Sequence, residues 1–223
     1  MPPTHTAGTV TNAPTAAATA TAAGANVKAI LDFWLGDGLA LGWPTQDLGK
    51  RWFGGGVALD EDIKTRFGEQ VLQAVQGGLQ DWELPAQSRL ALVILLDQFT
   101  RNVFRGTPRA FAGDARAQQL VLATLAGRED QQLPWVARVF TYMPLMHAEN
   151  LALQDQCVAC FARLVAEAPD ALKQRLQGNL DFARQHRDIV ARFGRFPYRN
   201  AALGRTNTPA EDEFLLNGPR FGQ

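Results

Sequence analysis

From Asn26 to Leu35 the apolar residues Val27, Ile30, Leu31, Trp34 and Leu35 recur on one side of a helical period, and Gly36 is placed to end it. The spacing predicts a first helix there. Gly38, Gly42, Pro44 and the triplet Gly54 to Gly56 then break any period up to Leu59, which reads as a long loop held down by Trp43, Trp52 and Phe53. Asp60 is placed to cap a second helix, with Glu61 and Asp62 in its first turn and Ile63, Phe67, Val71 and Val75 on its buried face. A third helix starts near Pro85 and reaches Phe99 or Asn102. Its stretch Leu90 to Leu96 is apolar throughout, so no side is left for water and the helix must be packed all round.

Asp114 opens another helix over 115–126 that Gly127 stops. Pro134 starts a short helix to about Tyr142, which Pro144 should interrupt because proline lacks the backbone donor and crowds the preceding turn. A longer helix follows to about Ala166. Asp170 caps a final pair of segments that end at Gly194 and Pro197, and residues 200–223, with Pro209 and Pro219, read as an extended or partly ordered segment. No segment alternates with a period of two, so the expected class is all-α, built of antiparallel helix pairs as a compact bundle or a short solenoid.

Composition narrows the setting. The chain has 223 residues, enough for one domain, placed at 26–216 between an N-terminal and a short C-terminal tail (217–223). Residues 1–25 are rich in Ala and Thr and nearly free of large apolar side chains, so they are expected to be disordered, and they lack the basic start and leucine-rich core of a secretory signal. Lys plus Arg equals Asp plus Glu at 22 each, which argues against a nucleic-acid or anionic-membrane partner. The two cysteines, Cys157 and Cys160, fit a reducing compartment, and the expected location is cytoplasmic.

Polar chemistry concentrates in three places. Asp97, Gln98, Arg101, Asn102 and Arg105 follow directly on the apolar run, and Asp97, Arg101 and Arg105, four apart, share one helix face. Charges that start from a core must be paired or face a ligand. His147 and Glu149 are candidates for a general acid and base, although His147 also reads as a satisfied core histidine. The stretch 186–200 is basic, with Arg187, Arg192, Arg195 and Arg199 against Asp188, and His186 is the weaker histidine candidate. Cys157 and Cys160 lie inside a helical apolar pattern and read as core. The glycine triplet lacks the lysine and following Ser or Thr of a phosphate loop. Nothing identifies a metal, a cofactor or a nucleophile.

The motifs LLDQFTRNVFRGTPRAF, YMPLMHAENLALQDQ and HRDIVARFGRFPYRN, in that order, resemble the bacterial domain-of-unknown-function family nine-two-four, over roughly Val27 to Leu216. The resemblance implies a tetratricopeptide-like, all-helical superhelix and no particular activity. By position its polar motif falls on Asp97, Gln98, Arg101, Asn102, Arg105 and Gly106, then His147 and Glu149, then His186, Arg192, Arg195, Phe196, Pro197, Arg199 and Asn200. This chain has Thr100, Ala148 and Asn150 where the family pattern favours proline, serine and an acid.

Two functional expectations result. The first is a pocket for a small anionic ligand, bounded by Gln98, Arg101, Asn102, Arg105, His147, Arg195 and Asn200, with hydrolase or transferase chemistry at His147. A structural role for the same ion pairs is its bland counterpart. The second is a protein- or peptide-interaction module that uses a concave helical face.

Overall fold

The computed structural model describes residues 16–219 and residue 221. Eleven α-helices appear among them: α1 (Ala16–Leu35), α2 (Gly38–Leu41), α3 (Val57–Val75), α4 (Ala86–Ile94), α5 (Thr100–Val103), α6 (Asp114–Ala126), α7 (Trp135–Met146), α8 (Leu151–Glu167), α9 (Asp170–Phe193), α10 (Asn200–Leu203) and α11 (Pro209–Asn217). No strand occurs among the described residues, so the all-α expectation holds. None of these helices is long and apolar enough to cross a membrane. Residues 1–15 of the expected N-terminal tail lie outside the described residues. Ala16 to Ala25 form the start of α1, in keeping with the strong helix propensity of alanine.

The centre of the molecule is one helix in three parts. α4 passes through a wide π turn at Leu95–Phe99 into α5, and every residue from Leu90 to Thr100 is buried. Its apolar half meets α1, α6 and α7. Trp34 of α1 packs edge-on against Phe99 and Phe140, with ring centroids 5.2 and 5.9 Å away. Fully burying such side chains is worth about 1.5–3 kcal/mol each. α7 and α8, and then α8 and α9, pack as successive neighbours, and a smaller cluster of Ile189, Val190 and Phe196 closes the C-terminal side.

Four local expectations are corrected. Asp60 does not cap α3, which begins three residues earlier at Val57 after Gly56, whose φ of +121° suits glycine. Pro144 does not interrupt α7: the helix runs on to Met146 because every residue from Val136 to Met146 is buried, and that packing outweighs one lost backbone bond. Asp170 does not cap a pair of segments but lies in the first turn of a single helix of 24 residues. The C-terminal segment, expected to be extended or partly ordered, is not extended throughout: it contains α11, where Thr208 and Glu211 form a reciprocal capping box and Pro209 occupies the first helical position.

Candidate functional site

The π turn changes the facing of the residues that follow the apolar run. An extra residue in one turn rotates the helix locally, and such turns recur at functional sites. Here it buries Asp97 completely and brings Gln98 to the wall of a cavity of about 500 Å³. Arg101, Asn102 and Arg105 line the same cavity from α5 and the turn after it, His147 from the end of α7, and His186 from α9. Much of the remaining wall is apolar: Phe53, Val57, Met143, Met146, Phe182 and Phe221.

At its floor, His147 Nδ1 lies 2.7 Å from Asp97 Oδ1. An ionised carboxylate only accepts, so Nδ1–H donates, and in the neutral form of the ring Nε2 carries the lone pair. Nε2 has no hydrogen-bond partner among the described residues. Gln98 Nε2 donates to the other oxygen of Asp97, and Arg101 Nη2 lies 4.0 Å from Oδ1. Burial raises the Asp97 pKa, but His147, Arg101 and Gln98 together outweigh it and hold the carboxyl below its usual value.

Each arginine of the cavity has its own carboxylate. Arg101 donates to Asp114 at 2.7 Å and to the carbonyl of Ala110. Arg105 grips Asp60 with two bonds of 2.6 and 2.8 Å, and Asn102 donates to the same aspartate at 2.8 Å. Asp60 is held below its usual pKa: burial pushes it up, and the bonds from Arg105 and Asn102 prevail. Asp114 goes the other way, because burial outweighs Arg101 and Arg199. His186 Nδ1 donates to the Phe182 carbonyl at 2.8 Å, and its ring centroid is 6.1 Å from that of His147. Burial, with the neighbouring His147, drives the His186 pKa down to about 3, so this imidazole is neutral.

Thus Asp97, Gln98, Arg101, Asn102, Arg105 and His147 come together as expected from the sequence, and five other expected residues do not. Glu149 sits in the turn after α7, where it accepts from the Phe196 backbone and from both terminal nitrogens of Arg205 at 2.7 and 2.8 Å. Arg195 is turned away by a two-bond pair with Glu211. Arg192 is exposed over the Phe193 ring, and Asn200 donates to Asn207. Arg199 lies behind the cavity, between the rings of Phe111 and Phe196 at 4.7 and 4.6 Å, and pairs with Asp114 at 3.3 Å. Each of these found a nearer acid, amide or ring.

The sequence reading missed Asp60, taken for a cap, and gave no role to Asn179 or Phe182. The glycine triplet, read as a flexible turn, forms one lip of the cavity: a Cβ on Gly55 would stand 3.5 Å from Arg105 Nη2. Cys157 and Cys160 are buried in α8, and burial drives the Cys157 thiol well above its ordinary pKa and that of Cys160 to about 11, which leaves both inert. Among the described residues no group of three or more metal-ligating side chains occurs.

A solved structure of a protein of unknown function from Agrobacterium tumefaciens is similar to this chain, with 35% identity over 86% of this chain and 97% of that one and a TM-score of 0.71. No curated protein matches. The model of the family described as bacterial protein of unknown function (DUF924) matches residues 30–219, a span that includes the three sequence motifs and almost all of the cavity wall, and the chain belongs to that family.

Proposed function

We propose that the cavity binds a small molecule with an apolar body and a polar end, and that His147 acts on that end as a general base. The observation that carries this reading is the Asp97–His147 pair: a buried carboxylate fixes the tautomer of the neutral imidazole, so a lone pair is presented to a concave, largely apolar space. A satisfied core histidine would have both ring nitrogens engaged. Proton transfer from a bound hydroxyl or water is the chemistry such a pair performs, and it leads to hydrolysis or group transfer. Gln98 and Asn102 are the polar groups that orient the reacting end.

The arginines have a different role from the one their number suggests. Asp60, Asp97 and Asp114 balance Arg101, Arg105 and Arg199 around the cavity, so its field is compensated and a strongly anionic ligand gains little from it. The pairs instead hold α3, the central helix and α6 in register around the space. A concave volume of this size suits a small molecule better than a peptide laid along an open helical face.

The test is a thermal-shift screen of a metabolite set against wild type and His147→Ala, followed by turnover assays of the hits. The expected result is ligands that stabilise both proteins and are converted only by wild type. Equal conversion by both removes His147 from the chemistry, and a complete absence of stabilising ligands removes the binding reading.

A further inference from the structure

A second, smaller cavity of about 180 Å³ adjoins the main one, and Phe53 and Asn179 line both. The sequence positions run in step. On α9, Arg175 lines the small cavity, Asn179 lines both, and Phe182 and His186 line the large one. Offsets of four, three and four residues place these side chains in one stripe, which spans about 16 Å of helix. On α7, Val139 lines the small cavity and Met143 and Met146 the large one, again one stripe in the same order. The chain segment from Trp43 to Val57 contributes wall to both, and Asp60 and the end of the central helix complete the large one. The two cavities therefore lie in line along α7 and α9, with the imidazoles of His147 and His186 in one and Arg175 in the other.

The far end differs chemically from the near one. Every arginine of the large cavity is matched with an aspartate, whereas Arg175 has no partner among the described residues. Asp47 lines the same small cavity; its Oδ1 accepts from the Gly49 backbone at 2.9 Å and it meets no cation among the described residues. An opposite pair of charges that face one space without pairing complements a headgroup that carries both signs. A lone carboxylate would meet Asp47 as well as Arg175, and a lone ammonium the reverse.

Resting on the proposed small-molecule function, we infer that the ligand is an extended α-amino acid: its carboxylate meets Arg175, its ammonium meets Asp47, and its long apolar side chain runs between α7 and α9 to bring its far end to His147. Trp43 and Trp52, edge-to-face at 6.0 Å beside the small cavity, supply aromatic faces for the ammonium end.

Calorimetric titration of the full chain with α-aminododecanoate, its methyl ester, its N-acetyl derivative and plain dodecanoate tests this. The free amino acid is expected to bind at least tenfold more tightly than the other three. Arg175→Ala should weaken it at least tenfold, and Asp47→Asn should weaken it while leaving dodecanoate unchanged or tighter. Both side chains are at the surface, so the variants fold. Equal affinity for all four probes, no binding of the free amino acid, or indifference to Arg175→Ala each overturns the inference. If hits from the metabolite screen still depend on His147 while ignoring Arg175, the general-base reading survives and only the head site falls. If α-aminododecanoate depends on Arg175 and Asp47 while His147→Ala converts ligands normally, the reverse holds.

Discussion

His147 Nδ1 and Asp97 Oδ1 meet at 2.7 Å across 50 residues of chain, and this one bond links the π turn of the central helix to the end of α7. Asp97 receives the His147 and Gln98 donors in a place water does not reach. Asp97→Asn presents an amide that cannot accept on both sides, so one buried donor is left unmatched, at a cost of about 1–3 kcal/mol. Urea unfolding at neutral pH should show that loss. Because the Asp97 pKa is lowered by folding, its contribution is present above the ordinary carboxylate value of 3.8 and disappears as pH falls through the lower folded value. The asparagine variant should lack this acid-dependent component.

His186 gives stability a different pH dependence. Its pKa falls from 6.5 to about 3 on folding, so below 6.5 the unfolded chain takes up a proton that the native imidazole refuses. Stability is therefore lost as pH drops from 6.5 toward 3, by roughly 1.4 kcal/mol per pH unit. The groups around the ring are the Phe182 carbonyl, His147, Arg199 and the rings of Phe196 and Phe221. His186→Phe removes the titrating group and keeps an aromatic ring among these neighbours. Denaturation series at pH 7 and pH 5 should give wild type a drop of about 2 kcal/mol that the variant lacks; parallel drops would show that the ring charges freely in the fold.

How far the sequence revealed this site depended on range. The apolar run from Leu90 to Leu96 followed by Asp97 announces a buried polar cluster, because only an all-round-packed helix has that pattern, and the four-residue spacing of Asp97, Arg101 and Arg105 places them together. Local pattern does not reveal which acid each arginine meets. Arg105 finds Asp60 across 45 residues, and Arg195 finds Glu211 across 16. Both choices follow from helix packing, and both decide which arginines face the cavity. Asp60 read as a cap because a carboxylate before an apolar run fits that role, while the glycines that actually precede α3 read as loop. The Thr208–Glu211 box was legible and was masked only by the prolines around it.

Arg199 illustrates a cation that the core needs. It is 4% exposed, sandwiched between Phe111 and Phe196, and pairs with Asp114, whose other partner is Arg101. Arg199→Ala leaves a void between two rings and takes one of two cations from a partly buried carboxylate, for an expected loss of about 3 kcal/mol. Lysine should not rescue it, since an ammonium does not fill the planar slot between the rings. Thermal melts of both variants at one protein concentration check this, and retention of wild-type stability by the lysine variant would reassign Arg199 to charge alone.

Among the described glycines, Gly113 leaves the least room for a side chain. A Cβ there would fall 2.2 Å from the Leu96 carbonyl oxygen, inside the π turn, so the start of α6 rests directly on the central helix. The φ of −86° is one any residue adopts, so proximity alone requires glycine. Gly113→Ala must push the two backbones apart and is expected to cost on the order of 2–4 kcal/mol. Since the displaced segment carries Asp97 and Gln98, ligand binding should weaken in the same variant even under conditions where it is fully folded, and a folded variant with unchanged affinity would separate the packing contact from the site.

The compensated charge of the cavity predicts a gain of binding. Asp60 accepts two bonds from Arg105 and one from Asn102, so three donors at the cavity are turned to α3. Asp60→Asn keeps the shape and removes one negative charge from beside the Arg105 guanidinium at the cavity mouth. Arg105 is 41% exposed along its side chain, so solvent screens the pair and the stability loss should stay below about 1 kcal/mol. The effect on anions should be larger than the effect on the fold. Inorganic phosphate or sulfate at millimolar concentration is expected to leave the wild-type melting temperature unchanged and to raise that of the variant, and added chloride should erase the rise. An equal response of the two proteins to phosphate would mean that the aspartate does not hold the arginine in check, and the cavity would then have to be read as an anion site after all.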